Sequence, residues 1–332
     1  HLSPTLSKKI LAWYDNSKRN LPWRVSKKSP KKLYYRILSE FMLQQTQVKT
    51  VIPYFNKFTK KFKTLQSLSK CKERQILKLW EGLGYYRRAR NLLASAKMLV
   101  KQYNSKLPKT IKEIKKLPGV GEYTANALLG LIYDQPTIAV DGNVKRVFAR
   151  NLNKKEKNID FVNLFLLNRK NLFNTNRNAD FVEALMEFGA LICKPKDPLC
   201  GACCLKKSCK YFKSSNKIIT TNKKKVKEMN YDIFCYLNKK KQIALTKENK
   251  ISFLKNFNLP AIKKMKNISD NKNWKFLKGY KNSISNLKLN INLYYKFSNK
   301  IPSTYNWYLL KNNKEFIPSF TKKIFKQVST LF

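Results

Sequence analysis

Four cysteines, Cys193, Cys200, Cys203 and Cys209, stand within 17 residues in the spacing C-x6-C-x2-C-x5-C. Four thiolates so close together can wrap one metal centre, either a [4Fe–4S] cluster or a tetrahedral zinc ion. Zinc patterns come as two short C-x2-C knuckles well apart in the chain. Here one knuckle lies between a longer arm on each side, which suits a cubane better. Cys204 would break the knuckle spacing and is left out of the set. Disulfides are the alternative, but the chain has 7 cysteines, an odd number, and no apolar targeting segment is read ahead of the fold. A secreted disulfide framework is therefore not expected, and a cytoplasmic setting is. Two carboxylates offer acid–base chemistry. Glu40 lies between Ile37 and Phe41 on a helical run, where partial burial would raise its pKa, although a lone glutamate is more often a solvated surface residue. Asp141, in Val140-Asp141-Gly142-Asn143, reads as the N-cap of a helix, a role that stabilises by about 1 kcal/mol. A carboxylate there is also held ionised, which suits it to face a developing cation.

Composition removes other chemistries. The single histidine is His1, so neither a Ser-His-Asp nor a Cys-His arrangement can be built, and His-ligated zinc hydrolysis is excluded. Lys and Arg number 70 against 19 Asp and Glu, a net charge of +51. Such a balance calls for a polyanionic partner, with nucleic acid the commonest. Richness in Lys, Asn and Ile is also what an AT-biased genome writes, so charge supports this partner without deciding it. No run of about 18 uncharged apolar residues exists, so neither a membrane span nor a membrane partner is expected.

These residues need elements to hold them. Apolar positions recurring at three- and four-residue intervals predict a mostly helical domain over residues 1–212. A polar connector at 213–227 follows, then a domain of mixed texture over 228–332. There, Tyr231–Leu237 and Gln242–Thr246 read as a β-hairpin, Leu287–Tyr295 and Trp307–Leu310 as strands, and Phe320–Val328 as a closing helix. Between the helical segments Ile111–Lys116 and Glu122–Tyr133 lies Leu117-Pro118-Gly119-Val120-Gly121. Two glycines one residue apart allow a tight turn that aims backbone N–H groups outward at a helix N-terminus, where a DNA phosphate can be held without a side chain.

Taken with Leu21-Pro22-Trp23, Met42-Leu43-Gln44-Gln45-Thr46-Gln47 and Gly82-Leu83-Gly84-Tyr85-Tyr86-Arg87-Arg88-Ala89-Arg90, these motifs resemble the adenine DNA glycosylase (MutY) family. That family belongs to the helix-hairpin-helix base-excision glycosylases. The likeness runs from about Leu11 to Tyr211, departing between Trp23 and Tyr35. It implies a multi-domain protein: an all-α helix-hairpin-helix glycosylase domain with an Fe–S cluster loop, then an α+β Nudix-like domain. The implied cofactor is a [4Fe–4S] cluster on Cys193, Cys200, Cys203 and Cys209, with the first helix packed near it. The implied partner of a monomeric enzyme is duplex DNA carrying adenine opposite 8-oxoguanine or guanine. By similarity Glu40 protonates the adenine, Asp141 faces the sugar cation, and Tyr123 and Asn143 support them. Endonuclease III-like enzymes carry a catalytic Lys where Tyr123 stands, so a glycosylase without strand-nicking activity is expected. Gln45, Thr46, Leu83 and Tyr85 are expected along the base stack. Arg87, Arg88 and Arg90 are expected to include phosphate contacts, with Arg88 in the DNA-binding set, although one of the arginines could instead pair with an acid. Leu117, Gly119, Val120 and Gly121 are expected in the hairpin contact, and Lys145 beside the DNA. Ser285 matches the family's Phe-Ser-His motif, although Ile284 and Asn286 do not. The C-terminal likeness lacks an acidic Nudix box, so pyrophosphate hydrolysis is not expected.

Overall fold

The computed structural model describes residues 2–217, 226–249, 251, 254–264, 273–284, 287–311 and 315–332. Ser285 and most of the predicted connector lie outside the described residues. The chain divides into two compact units, residues 1–76 with 85–222, and 77–84 with 223–332. The sequence reading left Leu77–Gly84 with the helical domain, whereas its contacts group it with the second unit. Within that unit Glu81 pairs with Lys78 and with Lys322.

The first unit is helical. Its elements are α1 (Leu6–Ser17), α2 (Lys32–Leu43), α3 (Val48–Lys61), α4 (Leu65–Ser69), the start of α5 (Glu73–Trp80), α6 (Arg87–Gln102), α7 (Ile111–Ile114) and α8 (Glu122–Tyr133). They continue with α9 (Gly142–Leu152), α10 (Phe161–Leu167), α11 (Arg169–Leu172), α12 (Asn178–Leu191) and α13 (Lys210–Lys213). α12 is the hub and packs on α1, α8 and α9, while α2 packs on α3, α6 and α8. Leu6, Ile10 and Tyr14 of α1, Val144, Val147 and Phe148 of α9, and Phe181, Leu185 and Phe188 of α12 form one core. Leu205, Cys193 and Cys203 of the cysteine loop join it, so the first helix packs beside that loop as expected. Close approach of α12 to α9 depends on Gly189, because a Cβ there would stand 2.6 Å from the Asn143 Cβ.

The second unit is a six-stranded sheet with one long helix. Its strands are β1 (Lys227–Asn238), β2 (Gln242–Leu245), β3 (Ala261–Lys264), β4 (Lys275–Ile284), β5 (Leu287–Phe297) and β6 (Asn306–Leu309), before α14 (Ser319–Val328). The order is β4-β5-β1-β2-β6, with β3 pairing β1. The β1–β2 hairpin, β5, β6 and α14 fall where the patterning put them. β3 and β4 did not show in the sequence. In β4, Lys275, Lys278 and Lys281 interrupt the apolar alternation. It is held by its antiparallel pairing with β5, which has a register shift between Phe276 and Lys278. Among the described residues no helix is long and apolar enough to cross a membrane.

Candidate active site

One cavity of about 490 Å³ in the helical unit is lined by Glu40 and Asp141 together, with Tyr123, Asn143, Glu183 and Met186. Glu40 reaches it from the last turn of α2, where Ile37, Leu38 and Phe41 bury the helix around it and leave it 6% exposed. Asp141 arrives as the N-cap of α9 and accepts the Val144 amide at 2.7 Å and the Asn143 side-chain amide at 2.9 Å. Tyr123 enters from the first turn of α8, its hydroxyl 3.4 Å from the Met186 sulfur.

The cavity sorts its acids by their partners. Glu187 accepts from Arg19 at 2.7 and 2.8 Å and from Arg24 at 3.0 Å. Burial opposes its charge, but those guanidinium hydrogen bonds win and pull its pKa down to about 2. Glu183 takes Arg36 at 2.5 and 3.1 Å, Arg24 at 3.1 Å and the Tyr14 hydroxyl at 3.0 Å. Its pKa is also lowered, because the Arg36 and Arg24 charges outweigh burial. Glu40 has no guanidinium hydrogen bond of that kind. Burial raises its pKa to about 7; the Glu183 and Asp141 charges reinforce this, and the Arg36 charge and a Tyr123 hydrogen bond oppose it. A carboxyl group in this range can hold and deliver a proton at neutral pH. Asp141 is also raised by burial, against the hydrogen bonds from Val144 and Asn143. The N-cap bonds therefore reduce the penalty on its anion without cancelling it, where the sequence suggested a carboxylate at ease. Two acids of the cavity, Glu183 and Glu187, are thus hydrogen-bonded by arginines, and Glu40 and Asp141 are not.

A second network ties Asp141 to the cysteine loop. Arg146 donates to the Asn143 side-chain oxygen at 2.8 Å, to the Gly189 carbonyl at 2.7 Å and to the Cys193 carbonyl at 2.7 Å. One turn on, Arg150 donates to the Lys194 and Pro195 carbonyls at 2.6 and 2.9 Å and lies 3.5 Å from the Cys193 sulfur.

With this geometry, the likeness to known proteins has chemical content. The HhH-GPD superfamily of base excision DNA repair proteins matches residues 38–161, a span that contains both Glu40 and Asp141. The adenine DNA glycosylase of Buchnera aphidicola subsp. Baizongia pistaciae (strain Bp) is 36% identical over 91% of this chain and 90% of its own. The chain belongs to the adenine DNA glycosylase family. The human adenine DNA glycosylase is 38% identical over 60% of this chain, which spans 38% of that longer relative. Among solved structures, a thermostable thymine-DNA glycosylase aligns with a TM-score of 0.56 and 28% identity over 63% of this chain and 95% of its own. Endonuclease III from a non-covalent DNA complex shares the fold, at a TM-score of 0.51 and 21% identity over 64% of this chain and 98% of its own.

The glycosylase holds its expected DNA-facing residues in unequal positions. Tyr85 is 39% exposed with φ 48°, and Gln45 is exposed with φ 57°. Both sit in the left-handed region, which presents their side chains from tight turns. Thr46 lines the cavity itself, and Lys145 is exposed, its Nζ 5.9 Å from the Phe161 ring centre. Leu83 is only 6% exposed, so its side chain packs rather than standing free for a base stack. Arg88 is a correction. It is buried, and its Nη1 donates to the Phe41, Met42 and Gln44 carbonyls at 3.2, 2.7 and 2.5 Å. A guanidinium spent on the last carbonyls of α2 caps the helix that carries Glu40 and is not offered to a phosphate. Arg90 likewise pairs with Glu73.

The hairpin between α7 and α8 turns at Gly119, with φ 79° and the Val120 amide donating to the Leu117 carbonyl at 3.1 Å. Leu117 and Val120 are buried, so their side chains anchor the turn. A Cβ at Gly119 would lie 2.5 Å from the Asn91 side-chain nitrogen. Gly119→Ala is expected to destabilise the protein by about 1–3 kcal/mol in chemical denaturation and to weaken duplex affinity. Unchanged affinity would separate this turn from DNA binding.

All seven cysteines are free. Burial raises Cys193, Cys203 and Cys209; Cys193 also feels the charge of Cys200, Cys203 those of Cys204, Cys193 and Cys209, and Cys209 those of Cys193 and Cys200. Cys204 is raised by burial and also feels the Lys9 charge. Among the described residues no three metal-ligating side chains close around a single ion. In a cubane each thiolate binds a different iron, so its four sulfurs stand farther apart than those on one zinc ion. A donor set of four thiols beside two arginines suits that anionic cluster.

The sequence reading missed Glu183, Arg36 and Arg24, which with Trp23 and Met186 shape the cavity wall. A signal was present: Glu183 and Glu187 are one turn apart on α12 in Phe181-Val182-Glu183-Ala184-Leu185-Met186-Glu187-Phe188. Acids in so apolar a helix must find buried partners.

Proposed function

We propose that this glycosylase removes adenine paired with 8-oxoguanine or guanine in duplex DNA, by hydrolysis and without nicking the strand. The observation that carries the reading is the pairing of a near-neutral buried acid, Glu40, with Asp141 in one cavity. Adenine is extruded from the stack, at a cost of a few kcal/mol, into that cavity. Glu40 gives its proton to N7 of the base. The bond from the base nitrogen to the sugar then breaks with its electron pair going to adenine, and the Asp141 carboxylate faces the cation left on the deoxyribose. Water adds to that carbon and returns a proton to Glu40. This is the division of labour between two carboxyl groups that glycosidases use.

Tyr123 supplies the reading of the outcome. A phenol at the first turn of α8 cannot form a Schiff base with the sugar, so the strand stays intact after base loss. Duplexes holding adenine opposite 8-oxoguanine or guanine, incubated with the protein, are expected to be cut only after hot alkali. Cutting without alkali would overturn the monofunctional assignment, and no cutting would overturn the substrate.

Cys193, Cys200, Cys203 and Cys209 fit a [4Fe–4S] cluster, which would act as a rigid cross-link for the basic loop Lys194–Lys210 and would take no step in the hydrolysis. Purified protein is expected to be yellow-brown with iron and sulfide in equal amounts, and Cys203→Ser to lose that absorbance. Zinc with no sulfide would replace the assignment. The sheet unit stands where the family carries its Nudix-like reader of the oxidised guanine, with Ser285 as a contact.

A further inference from the structure

The sheet unit carries a surface that adenine excision does not use. Phe234 and Tyr236 of β1 share a face with Tyr294 of β5 and Phe276 of β4, because β1 and β5 run parallel with Phe234 beside Tyr294, and Phe276 pairs with Tyr294 across the β4–β5 ladder. Their rings form a continuous chain. Phe234 stacks on Tyr294 at 5.3 Å and 17°, and Tyr294 meets Phe276 at 5.5 Å. Trp274, just before β4, lies 5.1 Å from Phe234 and 4.8 Å from Tyr236, which in turn meets Tyr305 at 6.2 Å. Phe234 is buried at the centre, while Tyr236, Trp274 and Tyr294 are half-buried around it and Phe276 is 58% exposed.

Cations and amides interleave with the rings. The Lys263 Nζ sits 5.6 Å from the Phe234 ring centre, and by register Lys296 is beside Tyr236, with Lys281 opposite Asn290. Asn290 and Asn292 bond across to Asn230 and Asp232 on the same face at 2.8 and 3.1 Å. Asp232, buried, and Glu228, at the start of the strand, are the acids on this face of β1. A ladder that only closed a core would place aliphatic residues here, as β1 does on its other face with Ile233, Cys235 and Leu237, all fully buried. The exposed Phe276 ring and the half-buried Tyr294, Trp274 and Tyr236 rings, with lysines between them, match a strand of bases with phosphates between them, since every base has a π-face and every linkage a negative charge. A duplex hides its base faces and cannot use such a surface. A second copy of this chain, also at +51, would be repelled from it.

We infer that this aromatic face of the sheet, centred on Phe276, Tyr294 and Trp274, binds single-stranded nucleic acid by stacking its bases. The inference is independent of the excision chemistry. With so basic a chain the test must separate stacking from charge, so the full-length protein is titrated at about 0.5 M salt, where phosphate contacts are weakened. The ligands are a fifteen-nucleotide oligo(dT) and an abasic strand of equal length, and tryptophan fluorescence is read. Oligo(dT) is expected to quench the wild type, the abasic strand to leave it unchanged, and Trp274→Phe to abolish the quench. Phe276→Ala removes a solvent-exposed ring and is expected to weaken oligo(dT) binding about tenfold, within the span that one stacked base contributes. Thermal unfolding of each variant reports that the fold persists. Equal binding of the abasic strand, a quench surviving in Trp274→Phe, or unchanged affinity in Phe276→Ala would each overturn the inference.

Discussion

Glu40→Gln should lower single-turnover adenine excision by about a hundredfold to ten-thousandfold, the span that a positioned general acid contributes. The side chain keeps its shape and loses only its proton. The wild-type rate should fall as pH rises through about 7, where Glu40 releases that proton, and fall again in acid as Asp141 becomes protonated. The two groups share a cavity, so the limbs belong to the pair rather than to either residue. In Glu40→Gln the alkaline limb should vanish while the acid limb stays. A variant that retained the alkaline limb would remove Glu40 from the proton transfer. Stability should move the opposite way. Burial raises the Glu40 pKa from 4.5 to about 7, so between those values the folded state holds a proton that the unfolded chain has released. Its contribution is whole below 4.5 and is lost as pH rises through 7. Glu40→Gln should therefore unfold at a higher temperature than wild type at pH 8, with the gap closing at pH 4.5.

The second large effect is structural. Glu183, its side chain 11% exposed, has two arginines and a tyrosine on its carboxylate, and Arg36, 7% exposed, has a buried Nε with no partner of its own. Glu183→Leu would strand the Arg36 charge in a low-dielectric wall and leave Arg24 with Glu187 as its one carboxylate partner among the described residues. Breaking such a network from one side costs about 3–5 kcal/mol. In a unit of this size that is on the order of a 6–20 °C fall in Tm. Tyr14→Phe, which removes one neutral donor, should cost only about 1 kcal/mol. Losses of similar size in the two variants would mean that α12 is held by its apolar packing and not by this charge network.

How much of this was legible in the residues varies with the range of the interaction. Asp141 as an N-cap was readable because a cap is decided by its own residue and the three that follow. The hairpin at Gly119 was readable because its left-handed φ is a local demand on one residue. The helical half, the β1–β2 hairpin and α14 followed from periodicity. β4 did not, since its lysines mask the alternation and only pairing with β5 makes it a strand.

Arg88 shows the limit most plainly. In sequence it is one of three arginines near a DNA-binding loop, and nothing local distinguishes them. In space it meets three carbonyls at the end of α2, a contact across more than forty residues that fixes the helix bearing Glu40.

By itself the chain determined its residue chemistry and short-range geometry: two acids, four spaced thiols, a glycine turn and a large positive charge. Which acid would be pushed toward neutrality and which would be paired with arginine was decided by the tertiary structure. Burial and Coulomb interactions depend on distance through space, and α2, α8, α9 and α12 bring together residues up to 147 positions apart, as Arg36 and Glu183 are.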